Sequence, residues 1–168
     1  LRYFNVYGPR QSLNNPYTGV CAIFASRINN ERPPVIFEDG MQSRDLIHVT
    51  DIARANERAI DSEGVNSFGV FNVGTGRPRT IQSVCDLLIE HAGQEGRLAP
   101  QICNQFRKGD IRHCFADISK IQEALGFQPT IDFEDGVKEL AGWALEQEAQ
   151  DGFEDALSEL SRRGLVRK

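Results

Sequence analysis

The spacing of apolar and polar positions changes along the chain, and each change marks an element. Residues 1–6, LRYFNV, are apolar, aromatic and β-branched, which predicts a buried strand, and Gly8-Pro9 ends it in a turn. A polar loop follows, GPRQSLNNPYTG. Val20, Ile23, Phe24 and Ile28 then recur at the spacing of one helical face, predicting a helix over 20–30 that Pro33-Pro34 stops. Val35-Ile36-Phe37 predicts a short strand and Glu38-Asp39-Gly40 a turn. A second strand is expected over 45–49, with Thr50-Asp51 as the N-cap of a helix that buries Ile52, Ala55, Ala59 and Ile60.

Val70-Phe71-Asn72-Val73 is again continuously apolar around one Asn, and Gly74-Thr75-Gly76 closes it before Thr80 caps a helix facing inward through Ile81, Val84, Cys85 and Leu88. A strand, a tight glycine turn and a helix make one unit of a parallel α/β sheet. Two more helices are predicted, one from Asp117 with Ile118, Ile121 and Leu125 before Gly126, the other from about Phe133 with Val137, Leu140 and Ala144. Between them and Gly93, residues 102–106 suggest a strand. The tail, DGFEDALSELSRRGL, carries helix signals of its own: a capping box of Asp151 and Glu154, a face of Phe153, Ala156, Leu157 and Leu160, and Arg162-Arg163 before Gly164. Two buried strands cannot form a stable parallel sheet by themselves. Residues 1–6 and 70–73 are therefore expected to lie parallel, near one another, at the edge of a larger sheet.

Composition narrows the partners. With 168 residues, 40% hydrophobic and 26% charged, the chain is a single globular domain in composition, and its net charge of -5 argues against nucleic acid or an anionic membrane. Any anion it binds should be small and held locally. Cysteines at 21, 85, 103 and 114 form no C-x-x-C pair, which predicts reduced thiols in a cytoplasmic protein. The longest wholly apolar run, 20–25, is far below the roughly 20 residues of a membrane span. The first residue is Leu rather than Met, and the strand at the start has no predecessor to pair with, so the chain is expected to be a piece of a longer protein.

Four blocks, RYFNVYGPRQ, GMQSRDLIHVTDIARA, FNVGTGRPRTI and FRKGDIRHCFADISKIQEALGF, stand in this order and at these separations. Together they resemble the C-terminal half of the extended short-chain dehydrogenases that act on nucleotide sugars, the NAD-dependent epimerase/dehydratase family. The resemblance covers about residues 1–145. It implies an α/β fold: residues 1–8 and 66–93 as edge strands of a Rossmann-type parallel sheet, residues 9–65 and 94–148 as a small mixed α/β substrate-binding lobe, and 149–168 as a helical tail outside it. Family members bind NAD on a glycine-rich turn and use a Tyr-x-x-x-Lys pair. Here Tyr3, Tyr7 and Tyr17 are followed four residues on by Tyr7, Gln11 and Cys21, and Gly74-Thr75-Gly76 runs on to Arg79 without a third glycine. The catalytic residues are therefore expected in a missing N-terminal half, residues 1–6 would be the sixth strand of the sheet, and this piece alone should be inactive.

What the resemblance carries over is a grip on a nucleotide-diphosphate sugar, UDP- or dTDP-linked. Arg44 and Arg107 occupy the positions of the two diphosphate arginines, and planar guanidinium forks suit that task. Asn5 matches an amide on the sugar-diphosphate, and Asp110 a carboxylate that accepts from ribose hydroxyls. Val35 and Phe37 match the strand that flanks the base. Gly19 and Val20, at a helix start, match backbone contacts to base or phosphate. Tyr3 and Phe4 match residues at the nicotinamide end of NAD. Cys114 departs from the aromatic or polar side chain usual there. His48 and His113 have no carboxylate or thiol at ligand spacing, so no metal site is expected. QSLNNPYTG with the following helix and I-F-E-D-G resembles the dTDP-L-rhamnose 4-epimerase branch. The implied activity is a 4-epimerase that forms a homodimer when full-length; a dehydratase or decarboxylase, and a non-catalytic nucleotide-sugar binding module, stay open.

Overall fold

The structure is a computed structural model that describes residues 1–14, 19–62 and 69–167. Tyr17, the 15–18 part of the QSLNNPYTG motif and residues 66–68 of the expected sheet edge lie outside the described residues.

The opening apolar run divides at Phe4. β1 (Arg2–Tyr3) pairs in parallel with β5 (Asn72–Val73), placing Arg2 opposite Asn72 and Tyr3 opposite Val73. β2 (Asn5–Tyr7) instead pairs in parallel with β4 (Ser43–His48), with Asn5 opposite Leu46 and Tyr7 opposite His48. The expected parallel neighbours are present, but their ladder is two residues long and Val70 is exposed. Leu1, Arg2 and Tyr3 are exposed too, against the expectation of a buried strand, because β1 pairs along one edge only. Burial begins at Phe4 and is complete at Tyr7.

β4 is the centre of the largest sheet. Beyond β2 it pairs antiparallel with β6 (Pro78–Thr80) and in parallel with β9 (His113–Cys114). α2 (Val49–Ile60) follows it without a loop. Its N-cap is His48 rather than Thr50 or Asp51: the imidazole Nδ1 accepts from the Thr50 amide at 3.3 Å. Asp51 is buried instead and accepts from the Thr130 and Ile131 amides at 3.1 Å. Ile60, expected on the buried face, is 82% exposed, since one step past Ala59 turns the helix by about 100°.

Three helices build the main core against Tyr7 and Leu46. α1 (Val20–Asn29) gives Cys21, Phe24 and Ile28, α3 (Ile81–His91) gives Ile81, Val84, Cys85 and Leu88, and α5 (Phe133–Leu145) gives Phe133, Val137 and Leu140. The predicted faces of α3 and α5 are the buried ones; on α1 Phe24 and Ile28 are buried as predicted, Val20 and Ile23 only partly, and Cys21 and Ala25 are buried beside them. Thr80 Oγ1 accepts from the Ser83 amide at 3.1 Å and Asp132 from the Glu134 amide at 2.9 Å, so both later helices begin on a side-chain cap. α4 (Ser119–Leu125) ends at Gly126, whose φ of 59° is left-handed, and packs Ile121 into a second core with Ile47, Val73 and Phe127.

The 102–106 segment breaks at Asn104, φ 52°, into β7 (Gln101–Ile102) and β8 (Phe106–Arg107). β7 pairs in parallel with β3 (Val35–Ile36); β8 pairs antiparallel with β10 (Val166–Arg167) at the end of the chain. α6 (Phe153–Arg162) lies between, and its capping box does not form. Gly152 is the N-cap, Asp151 accepts from the Phe153 amide, and the Glu154 carboxylate turns away to Arg27. No described helix is long and apolar enough to cross a membrane.

Burial sets the thiol chemistry. Desolvation pushes the Cys21 and Cys85 thiols up to about 12, while Cys103 and Cys114 are partly exposed. At pH 8 an alkylating reagent followed by peptide mapping is expected to label Cys103 and Cys114 in the folded protein and Cys21 and Cys85 only after unfolding. The raised values also fix the sign of the pH dependence. Neutral buried thiols contribute fully below about 8.5, where unfolded thiols keep their protons, and that contribution is lost as pH rises toward about 12. Early labelling of Cys21 would contradict this packing.

Candidate functional site

Alternation along β4 separates two neighbouring charges. Asp45 points inward and is fully buried; its carboxylate accepts from the Thr75 amide at 2.8 Å, the Thr75 hydroxyl at 2.7 Å, the Gly76 amide at 2.8 Å and the Ala116 amide at 3.1 Å. The glycine turn after β5 is thereby tied to β4. Gly74 has to be glycine there, because a Cβ would stand 2.6 Å from Asp45 Oδ2 and 2.7 Å from the Ala116 Cβ.

Arg44, one residue back, emerges on the other face. Its Nη1 donates to the Ser43 carbonyl at 2.9 Å and the Arg112 carbonyl at 3.1 Å, and its Nη2 to Asp110 Oδ1 at 2.7 Å. Arg107 Nη2 donates to the other oxygen, Asp110 Oδ2, also at 2.7 Å, and its guanidinium stands 5.3 Å from the Phe37 ring centroid. One carboxylate thus holds an arginine on each oxygen, leaving one positive charge over. Arg44 is the fixed member, with a side chain 14% exposed against 45% for Arg107. Arg112, nearby, is neutralised separately by Glu38 and Asp39, and its hydrogen bond holds the Asp39 carboxyl below its ordinary range.

Arg44, Arg107 and Asp110 open onto a cavity of about 300 Å³. Asn5, Gly19, Val20, Val35, Phe37, Arg44, Arg107 and Asp110 all line it, brought together from five separate stretches of chain. The lining is apolar over Val20, Val35 and Phe37 and charged at the arginines. Tyr3 and Phe4 are not part of it: the Tyr3 hydroxyl donates to Asn56 Oδ1 at 2.8 Å and Phe4 packs on the second core. His113 Nδ1 lies 2.9 Å from the Ser43 hydroxyl, and His48 Nε2 lies 3.5 Å from the Glu139 carboxylate. Among the described residues no group of three or more His, Cys, Asp or Glu is placed to hold a metal ion.

Two features escape a reading of the sequence. Gln42 is buried in the lining; its Nε2 donates to the Phe37 carbonyl at 2.8 Å, and its Oε1 has no hydrogen-bond partner among the described residues. It stands just before β4, two residues ahead of Arg44, and no local pattern in the sequence marks it. The second is the bridging by Asp110, a residue the sequence does single out, whose two oxygens each accept from one arginine.

The family described as GDP-mannose 4,6 dehydratase matches residues 1–140. The chain belongs to this family. Among curated relatives of this epimerase/dehydratase chain, a dTDP-L-rhamnose 4-epimerase of Burkholderia thailandensis is 33% identical over 147 residues, 88% of this chain and 39% of that protein. A putative UDP-glucose 4-epimerase of Methanocaldococcus jannaschii is 34% identical over 143 residues, 85% of this chain and 44% of that protein. A solved UDP-N-acetylglucosamine 4-epimerase from Methanobrevibacter ruminantium, in complex with UDP-N-acetylmuramic acid, superposes with a TM-score of 0.77 at 38% identity, over 88% of this chain and 46% of that one. The chain spans about two-fifths of the length of the curated relatives it matches, and corresponds to their C-terminal part.

Proposed function

We propose that this chain is the substrate-binding portion of an NAD-dependent nucleotide-diphosphate-sugar 4-epimerase. The observation that supports this best is the Arg44–Asp110–Arg107 cluster at the wall of a cavity whose apolar lining includes Phe37. A nucleotide diphosphate combines a flat apolar base with about two negative charges, and the cavity offers an apolar surface beside two guanidinium forks. Arg44, held by three acceptors, presents a fixed cation; Arg107 stands over the Phe37 ring and holds the other oxygen of Asp110. Asn5 takes the sugar-diphosphate, Asp110 the ribose hydroxyls, and Gly19 and Val20 offer amides at the uncapped start of α1. These contacts hold the nucleotide while the reacting carbon, remote from them, changes configuration.

Hydride removal from C4 and its return to the other face are the chemistry that NAD supplies in such an enzyme. Tyr3 and Phe4 are this chain's contribution at the nicotinamide end. The glycine turn after β5 offers no pyrophosphate cradle, since the Thr75 and Gly76 amides are taken by Asp45. The protein's resemblance to a dTDP-L-rhamnose 4-epimerase favours a deoxythymidine-linked hexose as the first substrate to try.

The test is turnover of the full-length, NAD-loaded protein on a panel of UDP- and dTDP-hexoses, followed by NMR of the sugar C4 position. C4 epimers with no net change in NAD are expected. Loss of water or of carbon dioxide from the sugar would reassign the chain to a dehydratase or decarboxylase, and saturable binding with no turnover to a binding module.

A further inference from the structure

The cavity has one wall that the family match does not include. α6 contributes Phe153, Ala156, Leu157 and Leu160 to the lining, whereas the matched stretch ends at residue 140. The tail is fixed at both ends. Arg27, on α1 and only 4% exposed, is paired to Asp151 at 3.2 Å and Glu154 at 3.1 Å and lies 4.6 Å from the Phe153 ring centroid. A guanidinium this deep keeps its carboxylates, because separation would leave a buried charge unpaired. The first turn of α6 is thus held on α1. At the other end Val166 of β10 pairs opposite Arg107 of β8, and the Lys108 amide donates to the Leu165 carbonyl at 2.7 Å. The strand that carries Arg107 is held by the last residues of the chain.

We infer that residues 149–167 are a wall of the nucleotide-sugar pocket, in which Leu157 and Leu160 give apolar contact to the nucleoside and β10 positions Arg107 for the diphosphate. The inference rests on the nucleotide-sugar reading above. A nucleoside presents ring faces that gain from apolar cover, next to an anion that needs cations, so a pocket for it requires both surfaces side by side. Val35 and Phe37 supply one apolar face and the two leucines of α6 extend it. Phe153 and Ala156, more deeply buried, serve the docking of the helix, while Leu157 and Leu160 are only half-buried and have surface left to offer.

The experiment uses the full-length, NAD-loaded protein and calorimetric titration with UDP, dTDP and inorganic pyrophosphate. Leu157→Gln combined with Leu160→Gln is expected to weaken UDP and dTDP about three- to thirtyfold and to leave pyrophosphate within about twofold. Ser158→Gln, on the exposed side of the same helix, should leave all three within about twofold. If the double variant loses its near-UV circular dichroism, Leu157→Ala, which keeps the helix, replaces it with about a threefold loss expected. Unchanged UDP and dTDP affinity, or an equal loss for pyrophosphate, overturns the assignment of α6 to the nucleoside; tighter binding also overturns it, and makes the tail a plug. Arg44→Ala in parallel separates the two claims. If it weakens all three ligands and the leucine variants weaken none, only the tail inference fails; if it too changes nothing, the nucleotide reading fails with it.

Discussion

Replacing Asp45 with alanine is expected to lower the stability of the fold by about 3–5 kcal/mol. Four donors converge on its carboxylate, three of them main-chain amides. Removing it strands those amides near the core, and each buried unsatisfied donor costs about 1–3 kcal/mol. Asparagine should recover only part, since its amide nitrogen would face donors in place of one acceptor oxygen. Chemical denaturation checks this: the midpoint should fall sharply with an unchanged slope. A loss below about 1 kcal/mol would show that the glycine turn is held by something else. The consequence for the site is indirect, because Asp45 anchors the strand from which Arg44 projects.

Helices proved more legible than strands, and the reason is physical. α3 and α5 bury the faces that periodicity predicts, α1 buries Phe24 and Ile28 of its own, and Thr80 caps α3 as its side chain allows, because these signals are local. Strand ends are set by partners. Phe4 and Asn104 divide what composition reads as continuous strands, each half joining a different sheet. Local signals also lost to tertiary ones at two caps. Glu154 has capping chemistry, but Arg27 is buried beside it and needs a second carboxylate more than the helix needs a cap. Asp51 likewise leaves the start of α2 to accept from Thr130 and Ile131, and His48 takes its place. Of the predicted residues that line the cavity, Asn5, Arg44, Arg107 and Asp110 were legible through the sequence blocks and Gly19, Val20, Val35 and Phe37 only through the wider resemblance, since nothing in periodicity brings Asn5, Arg44 and Arg107 together. The docking of α6 against them was not legible at all. Its end signals state that a helix forms, not which surface receives it.

Replacing Arg44 with alanine in the full-length, NAD-loaded protein should weaken UDP and dTDP by about ten- to a hundredfold, with NAD retention unchanged. A hydrogen bond between charged partners contributes about 1.5–3 kcal/mol, and each 1.4 kcal/mol is a factor of ten in affinity. Arg107→Ala should show a similar or smaller loss, because its side chain is the more exposed of the two and its contact is better screened. Lysine at either position should restore only part, since an ammonium carries the charge without the planar fork that engages two oxygens at once. The double replacement should cost less than the sum of the single ones. Asp110 bridges both guanidinium groups, so removing one arginine already changes how the other is held. If both arginines are merely a surface ion-pair network, each change should stay within about 1 kcal/mol and move no ligand affinity. Calorimetric titration of the two single variants and the double variant decides it: unchanged affinity in all three would leave a cavity lined by the right residues but not used for a diphosphate, whereas sub-additive losses place the anion between Arg44 and Arg107, where Asp110 now holds them.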